Sequence, residues 1–302
     1  MRKTRSAAFA ATVTALLTLT ACGGDDASTG AEGEVAQPEV DTSATFEAGT
    51  TMAEVQEAGT VTIGTKFDQP GFGLADLEGT PAGFDVEVAE YVAAQMGVSP
   101  EDIEWVEAPS ARREDLIANG DVDMVVATYT INDKRKERIT FAGPYYVAGQ
   151  QIMVNADNTT ITGPEDLAAN PDVKICSVTG STPAENIRQY LASPDQLVTF
   201  EVYDDCVSAM QNGQVQALTT DNVILTGYVA ENEGEFKLVG EQFTEEPYGI
   251  GIEKGNTAFC EFINESLTEM AESGAYEEAW TATAGQYEGT EVPELPELDP
   301  CA

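Results

Sequence analysis

The chain has 302 residues, 42% of them hydrophobic, enough for one large or two ordinary domains with a core of their own. Its 14 Lys and Arg stand against 53 Asp and Glu, a formal net charge of −39, and three of those cations (Arg2, Lys3, Arg5) lie in the first five residues, which makes nucleic acid an unsuitable partner. There is no histidine, which removes histidine acid–base catalysis and the common zinc sites; in so acidic a chain, any cation that faces inward is informative.

The amino terminus reads as an export signal over residues 1–21. A basic start is followed by an apolar stretch from Ala7 to Leu19, too short to span a bilayer, and then by Leu19-Thr20-Ala21-Cys22. Small residues before a cysteine resemble a bacterial lipobox, which implies cleavage before Cys22 and a lipid on its thiol. Residues 22–46 are rich in Gly, Ala and acidic residues with almost nothing to bury, and are expected to form a disordered acidic tether. Five cysteines in an exported chain leave one over after pairing, and lipidation of Cys22 accounts for it. The other four, Cys176, Cys206, Cys260 and Cys301, allow three connectivities, and none falls in a Cys-x-x-Cys redox or metal spacing.

Val61 to Thr65 reads as the first strand, with Lys66 opening a turn-rich loop to Gly73. A hairpin through Glu78-Gly79 follows, and then a helix capped by Asp85 whose Val88, Val92 and Met96 form a core face ending at Gly97. Ile103 to Glu107 is the next strand. Ser110 is the expected N-cap of a helix over Ala111 to Asn119, and with Arg113 it makes a reasonable carboxylate cradle. Asp121 to Ala127 reads as a buried parallel strand. At its carboxyl end stand Thr128 and Thr130, and then Asn132 as N-cap of a turn of helix carrying Arg135. Ligands of open α/β sheets bind beyond the carboxyl ends of strands, and hydroxyls plus a guanidinium there suit an anion.

Residues 145–153 read as extended chain leaving a first lobe and residues 245–251 as the return, two crossovers bracketing a second lobe. Within it, Lys174 to Val178 is a strand, and Thr182, Pro183 and Glu185 fit N-cap, N1 and N3 of a helix. Gln214 to Thr220 is another strand, with Asp221 at its end, where an aspartate can simply cap the following helix. Phe259 to Met270 has a helical apolar pattern, and the Glu- and Pro-rich residues 287–298 suggest an extended tail held by Cys301.

The order Thr128-Tyr129-Thr130, Arg135, Ile139, Phe141, Pro144 and Tyr145 resembles the central signature of the bacterial polar-amino-acid (family 3) extracellular solute-binding proteins, the receptors of ABC importers. KFDQPG, GFDVEVAEYVAAQMG, PSARREDL and ALTTDNVIL extend the likeness in the family's order from Val61 to Trp280, closest to the glutamate-binding lipoproteins of actinobacteria. The resemblance implies a type II periplasmic-binding-protein fold. This is a two-lobe venus flytrap in which each lobe is a mainly parallel sheet flanked by helices, with residues 47–148 and 249–302 in lobe I and 149–248 in lobe II. It also implies roles. Arg135, with Thr128 and Thr130, takes the α-carboxylate of a free amino acid; Asp221 takes the α-ammonium; Ser181 and Thr182 meet its backbone groups; Lys66, Ser110 and Arg113 recognise a side-chain carboxylate or amide.

Pairing Cys176 with Cys206 and Cys260 with Cys301 keeps each bridge within one lobe and is similar to the pattern of actinobacterial members. The expected protein is a monomeric, lipid-anchored, extracytoplasmic receptor for glutamate, with glutamine, aspartate and asparagine as alternatives, that serves a permease and carries no cofactor, metal or catalytic residue. The rival readings are a dehydratase-like lyase on the same fold and a sensory ligand-binding module. The first has neither a histidine nor a nucleophile motif to work with.

Overall fold

The computed structural model describes residues 37–287 and 289–301. The expected export signal, Cys22 and the expected tether up to residue 36 lie outside them. The first described elements are α1 (Thr51–Ala58), β1 (Val61–Thr65), β2 (Asp68–Gln69), β3 (Gly73–Ala75), β4 (Pro81–Ala82), α2 (Phe84–Gln95), β5 (Ile103–Glu107), α3 (Arg113–Ala118), β6 (Met124–Val125), α4 (Asp133–Lys136) and β7 (Thr140–Ala148). Then come β8 (Gln150–Asn155), α5 (Asp166–Ala169), β9 (Ile175–Val178), α6 (Thr182–Asn186), β10 (Leu197–Phe200), α7 (Tyr203–Gln211), β11 (Ala217–Asp221), α8 (Asn222–Glu231) and β12 (Phe236–Val239). The chain closes with β13 (Glu246–Ile252), α9 (Thr257–Ser273) and α10 (Ala275–Ala282).

Two five-stranded sheets carry the two lobes, in the orders β5-β1-β6-β13-β7 and β10-β9-β11-β8-β12. Each is mainly parallel, as expected, with four of its five strands running one way and one reversed. β1 is parallel to β5 and β6, and β9 to β10 and β11, but β13 and β8 each pair antiparallel on both sides. The cause is topological. These two strands sit next to the crossovers, so each enters its sheet against the direction set by the strand–helix–strand units. Only Gly149 separates β7 from β8, and β13 returns beside β7 with Glu246 opposite Ala148 and Tyr248 opposite Tyr146. The Asn222 side-chain oxygen accepts from the Gly149 N–H, and the Asn222 backbone N–H donates to the Gly149 carbonyl, which fastens the start of α8 to this crossover.

The first lobe's core gathers Phe72, Phe84, Tyr145, Tyr146, Tyr248 and Trp280 into edge-to-face and stacked contacts. Val88, Val92 and Met96 are fully buried, as the helical spacing requires. The tether expected to reach Phe46 ends sooner. The Asp41 N–H donates to the Ala94 carbonyl and the Phe46 ring packs edge-on against Phe262, because a phenyl ring gains more by leaving water than by staying in a linker. Cys176–Cys206 ties β9 to α7, and Cys260–Cys301 ties the tail to α9. The tail is held by more than its cysteine: the Asp299 N–H donates to the Gly143 carbonyl and its carboxylate pairs with Lys136.

Candidate ligand-binding site

Lys66 leaves the end of β1 and is 1% exposed. Its ammonium donates to the Ser110 hydroxyl at 3.2 Å, and burial lowers its pKa to about 8 against the opposing pull of Asp68. Ser110 is therefore an acceptor for Lys66 and not a helix cap; α3 begins only at Arg113, with Arg112 in the cap position and no side chain bonded to the helix start. Arg113 is buried. Its Nη1 donates to the Ala127 carbonyl at 2.6 Å and its guanidinium lies 4.1 Å over the Tyr129 ring, while its Nε is buried without a partner.

Thr128 has φ 45, a conformation that costs a β-branched residue about 1 kcal/mol or more. Asp85 holds it there. One Asp85 oxygen accepts the Thr128 N–H at 2.6 Å and the other accepts the Tyr145 hydroxyl at 2.6 Å. Asp85 thus lies inside the first turn of α2, with Gly83 at the cap, and the cap expected of it is not made. Burial raises its pKa to about 7, with the Tyr145 and Thr128 bonds opposing. Asn132 does cap α4, accepting the Arg135 N–H. The Arg135 guanidinium donates to the carbonyls of Thr130 at 2.6 Å and Gly180 at 3.3 Å, and its Nε pairs with Glu114 at 3.2 Å. Burial, then the neighbouring Arg113, lowers its pKa to about 10.

From the second lobe, Ser181 caps α6 by accepting the Ala184 N–H, one residue earlier than the cap expected at Thr182. Thr182 is thereby released toward the other lobe, where its hydroxyl meets that of Thr130 at 3.1 Å. Asp221 ends β11 and precedes α8 without capping it. One of its oxygens accepts the Tyr248 hydroxyl at 2.6 Å, and the other is buried with no partner. Burial first, and Glu246 second, raise its pKa to about 7.

Seven of the nine expected residues, Ser110, Arg113, Thr128, Thr130, Ser181, Thr182 and Asp221, surround one cavity between the lobes, together with Gln69, Tyr203 and Thr220. Lys66 stands behind Ser110. Arg135 faces an adjoining cavity of ≈ 290 Å³ that shares Ser110, Ser181 and Thr182. The central cavity measures only ≈ 10 Å³, and the groups around it meet one another across the cleft, Thr130 with Thr182 and Arg135 with the Gly180 carbonyl. Among the described residues, no group of three or more His, Cys, Asp and Glu is placed to hold a metal. Gln69, Tyr203 and Tyr248 were not singled out from the sequence, and Asp85 only as a helix cap; their partners lie far along the chain, beyond the reach of spacing arguments.

Comparison with known proteins identifies the family. The model of the family described as bacterial extracellular solute-binding proteins, family 3, matches residues 61–282. The glutamate-binding protein GluB of Corynebacterium efficiens is 41% identical over 290 residues, covering 93% of this chain and 90% of that one. The ABC transporter glutamine-binding protein GlnH of Bacillus subtilis is 36% identical over 231 residues, covering 76% of this chain and 83% of that one. A solved structure of an ancestral arginine-binding protein bound to glutamine superposes with a TM-score of 0.69 at 33% identity, covering 77% of this chain and 99% of that one.

Proposed function

Since the chain belongs to the bacterial extracellular solute-binding proteins of family 3, we propose that it is a lipid-anchored receptor that captures an acidic amino acid, glutamate first, and delivers it to the permease of an ABC importer. Family membership places it outside the cytoplasm. The anchor is the lipidated Cys22 after removal of residues 1–21, and the receptor acts as a monomer. Lobe I is assigned residues 47–148 and 249–302 and lobe II residues 149–248, with Glu246–Tyr248 already paired into the lobe I sheet at the return crossover.

The observation that carries the reading is a pair of unsatisfied charged groups. The Nε of Arg113 and one oxygen of Asp221 are buried without partners in residues that line the same cavity from different lobes. Buried polar groups are almost always bonded, so a donor and an acceptor left open across one cleft fit a zwitterion that supplies both partners. Asp221 takes the ammonium. Arg135, exchanging the Gly180 carbonyl for the ligand, takes the α-carboxylate with Thr128 and Thr130, and Ser181 and Thr182 complete the contacts to the ligand's backbone groups. Lys66, Ser110 and Arg113 converge on the side-chain end, and the cations there favour a carboxylate over an amide. The ligand favours closure because only the closed form offers both sets of contacts at once, and the importer reads that form.

A thermal-shift screen of the twenty amino acids on protein lacking residues 1–22 tests the proposal. Glutamate at a hundred times its dissociation constant adds about 2.7 kcal/mol of stability. A screen in which no amino acid raises the melting temperature overturns the reading, and consumption of glutamate by the pure protein would move the assignment to an enzyme.

A further inference from the structure

We propose that Asp68 is a closure latch: from lobe I it caps helix α7 of lobe II, and so sets the affinity of the receptor without touching the ligand. The inference rests on the two-lobe receptor reading above. α7 begins at Tyr203, and no side chain of its own neighbourhood caps it, since Val202 occupies the cap position. The missing acceptor arrives from 135 residues away. An oxygen of Asp68 accepts the Tyr203 N–H at 2.6 Å, with Asp68 5% and Tyr203 2% exposed. An ionised carboxylate on the free N–H groups of a helix start is among the stronger single contacts a closing interface makes.

The loop that carries Asp68 is shaped for the same docking. The Tyr228 hydroxyl of α8 donates to the Asp68 carbonyl and also meets Asp204 at 3.0 Å, standing beside the two like-charged side chains. Pro70 rests on Gly227 of α8, where a Cβ would lie 2.8 Å from the Pro70 carbonyl oxygen. Asp68 does not line the central cavity. It therefore differs from such contacts across the cleft as Thr130 with Thr182, Arg135 with Gly180 and Tyr248 with Asp221, which involve residues assigned to the ligand.

When the lobes part, Asp68 and the Tyr203 N–H both return to water, so their bond contributes only to the closed form. A receptor whose binding-competent form is less populated binds more weakly by the same factor. The net worth of a hydrogen bond to a charged group corresponds to about tenfold or more in that population. One other route needs separating from this one, because Asp68 also supports the charge on Lys66. A loss transmitted through Lys66 would be small well below pH 8, grow as pH rises toward about 8 and hold above it, whereas loss of the latch is the same on either side.

The test compares wild-type mature protein with Asp68→Ala and the shape-conserving Asp68→Asn. Three quantities are measured: exchange of the Tyr203 amide without ligand, the radius of gyration by small-angle scattering without ligand, and the L-glutamate dissociation constant at pH 6.5 and 9. The latch predicts that Asp68→Ala speeds Tyr203 exchange about tenfold or more while amides in β9 and β11 keep theirs, enlarges the ligand-free particle, and weakens glutamate binding about tenfold at both pH values, with Asp68→Asn between. Unchanged Tyr203 exchange, unchanged affinity, or an affinity loss confined to pH 9 overturns it. Should the wild type bind no amino acid, the proposed function falls, and the two ligand-free measurements still decide the latch.

Discussion

Replacing Asp221 by Asn should make the ligand-free protein more stable while destroying its ability to bind. Burial raises this carboxyl from 3.8 to about 7. An acid whose folded pKa lies above its unfolded one costs the folded state free energy as pH rises between the two values, because the unfolded chain ionises first. At 1.36 kcal/mol per unit, the full cost above pH 7 is of order 4 kcal/mol. The Asn side chain removes that cost and can still accept the Tyr248 hydroxyl, but its amide hydrogens now occupy the position that has no partner, which returns about 1–3 kcal/mol. The net gain at pH 8 is about 2 kcal/mol, or roughly 4 °C in melting temperature for a chain of this size. It shrinks as pH falls toward 5, where the wild-type carboxyl is protonated in the folded state. Binding goes the other way: losing the partner of the ammonium costs about 2–5 kcal/mol. Differential scanning fluorimetry at pH 5 and 8, with and without glutamate, reads both effects. A ligand-free Asn variant that melts below wild type at pH 8, or that keeps the wild-type glutamate shift, refutes the reasoning.

The same carboxyl makes wild-type affinity pH-dependent. Glutamate needs Asp221 ionised, so its dissociation constant should rise about tenfold per pH unit below about 7, measured by calorimetry in two buffers to show proton release on binding. Arg113→Ala should cost far more for glutamate than for glycine in competition assays, and equal losses would remove Arg113 from the side-chain subsite. Arg135→Ala should nearly abolish binding of both, a loss of about 2–5 kcal/mol. Replacing Cys260 and Cys301 by Ser should lower stability by about 2–4 kcal/mol in denaturant titrations yet leave the glutamate dissociation constant unchanged, since that bridge ties the tail to α9 away from the cleft.

Local signals carried much of this architecture. The strands over Val61–Thr65 and Ile103–Glu107 have the bounds expected from their residues, and Asn132 caps α4 because a short polar side chain before a helical turn has one natural partner within reach. Apart from Thr182, where the cap lies one residue earlier at Ser181, the misread caps are positions where a distant group outbid the local one. Ser110 looks like a cap but accepts from Lys66, 44 residues back. Asp85 looks like a cap but bonds Thr128 and Tyr145, 43 and 60 residues ahead. Gly83 stands at the start of α2 in its place, with φ 136 and the Phe72 backbone where a Cβ would be, so that no other residue fits. The cleft residues were legible as a set because family motifs mark them, whereas Tyr248, the tyrosine that braces Asp221, belongs to a return strand whose proximity exists only after folding.

The pairing of Ala148 with Glu246 means that the second lobe begins and ends at a single doorway. A segment whose entrance and exit are neighbours is a cassette: it can be gained, lost or exchanged between relatives without rethreading the host sheet. Half of the cleft, Asp221 and Ser181 included, travels with that cassette, while Lys66, Arg113 and Arg135 stay with the host. On the proposed assignment, grafting the second lobe of one receptor onto the first of another would separate what grips the common amine from what chooses the side chain.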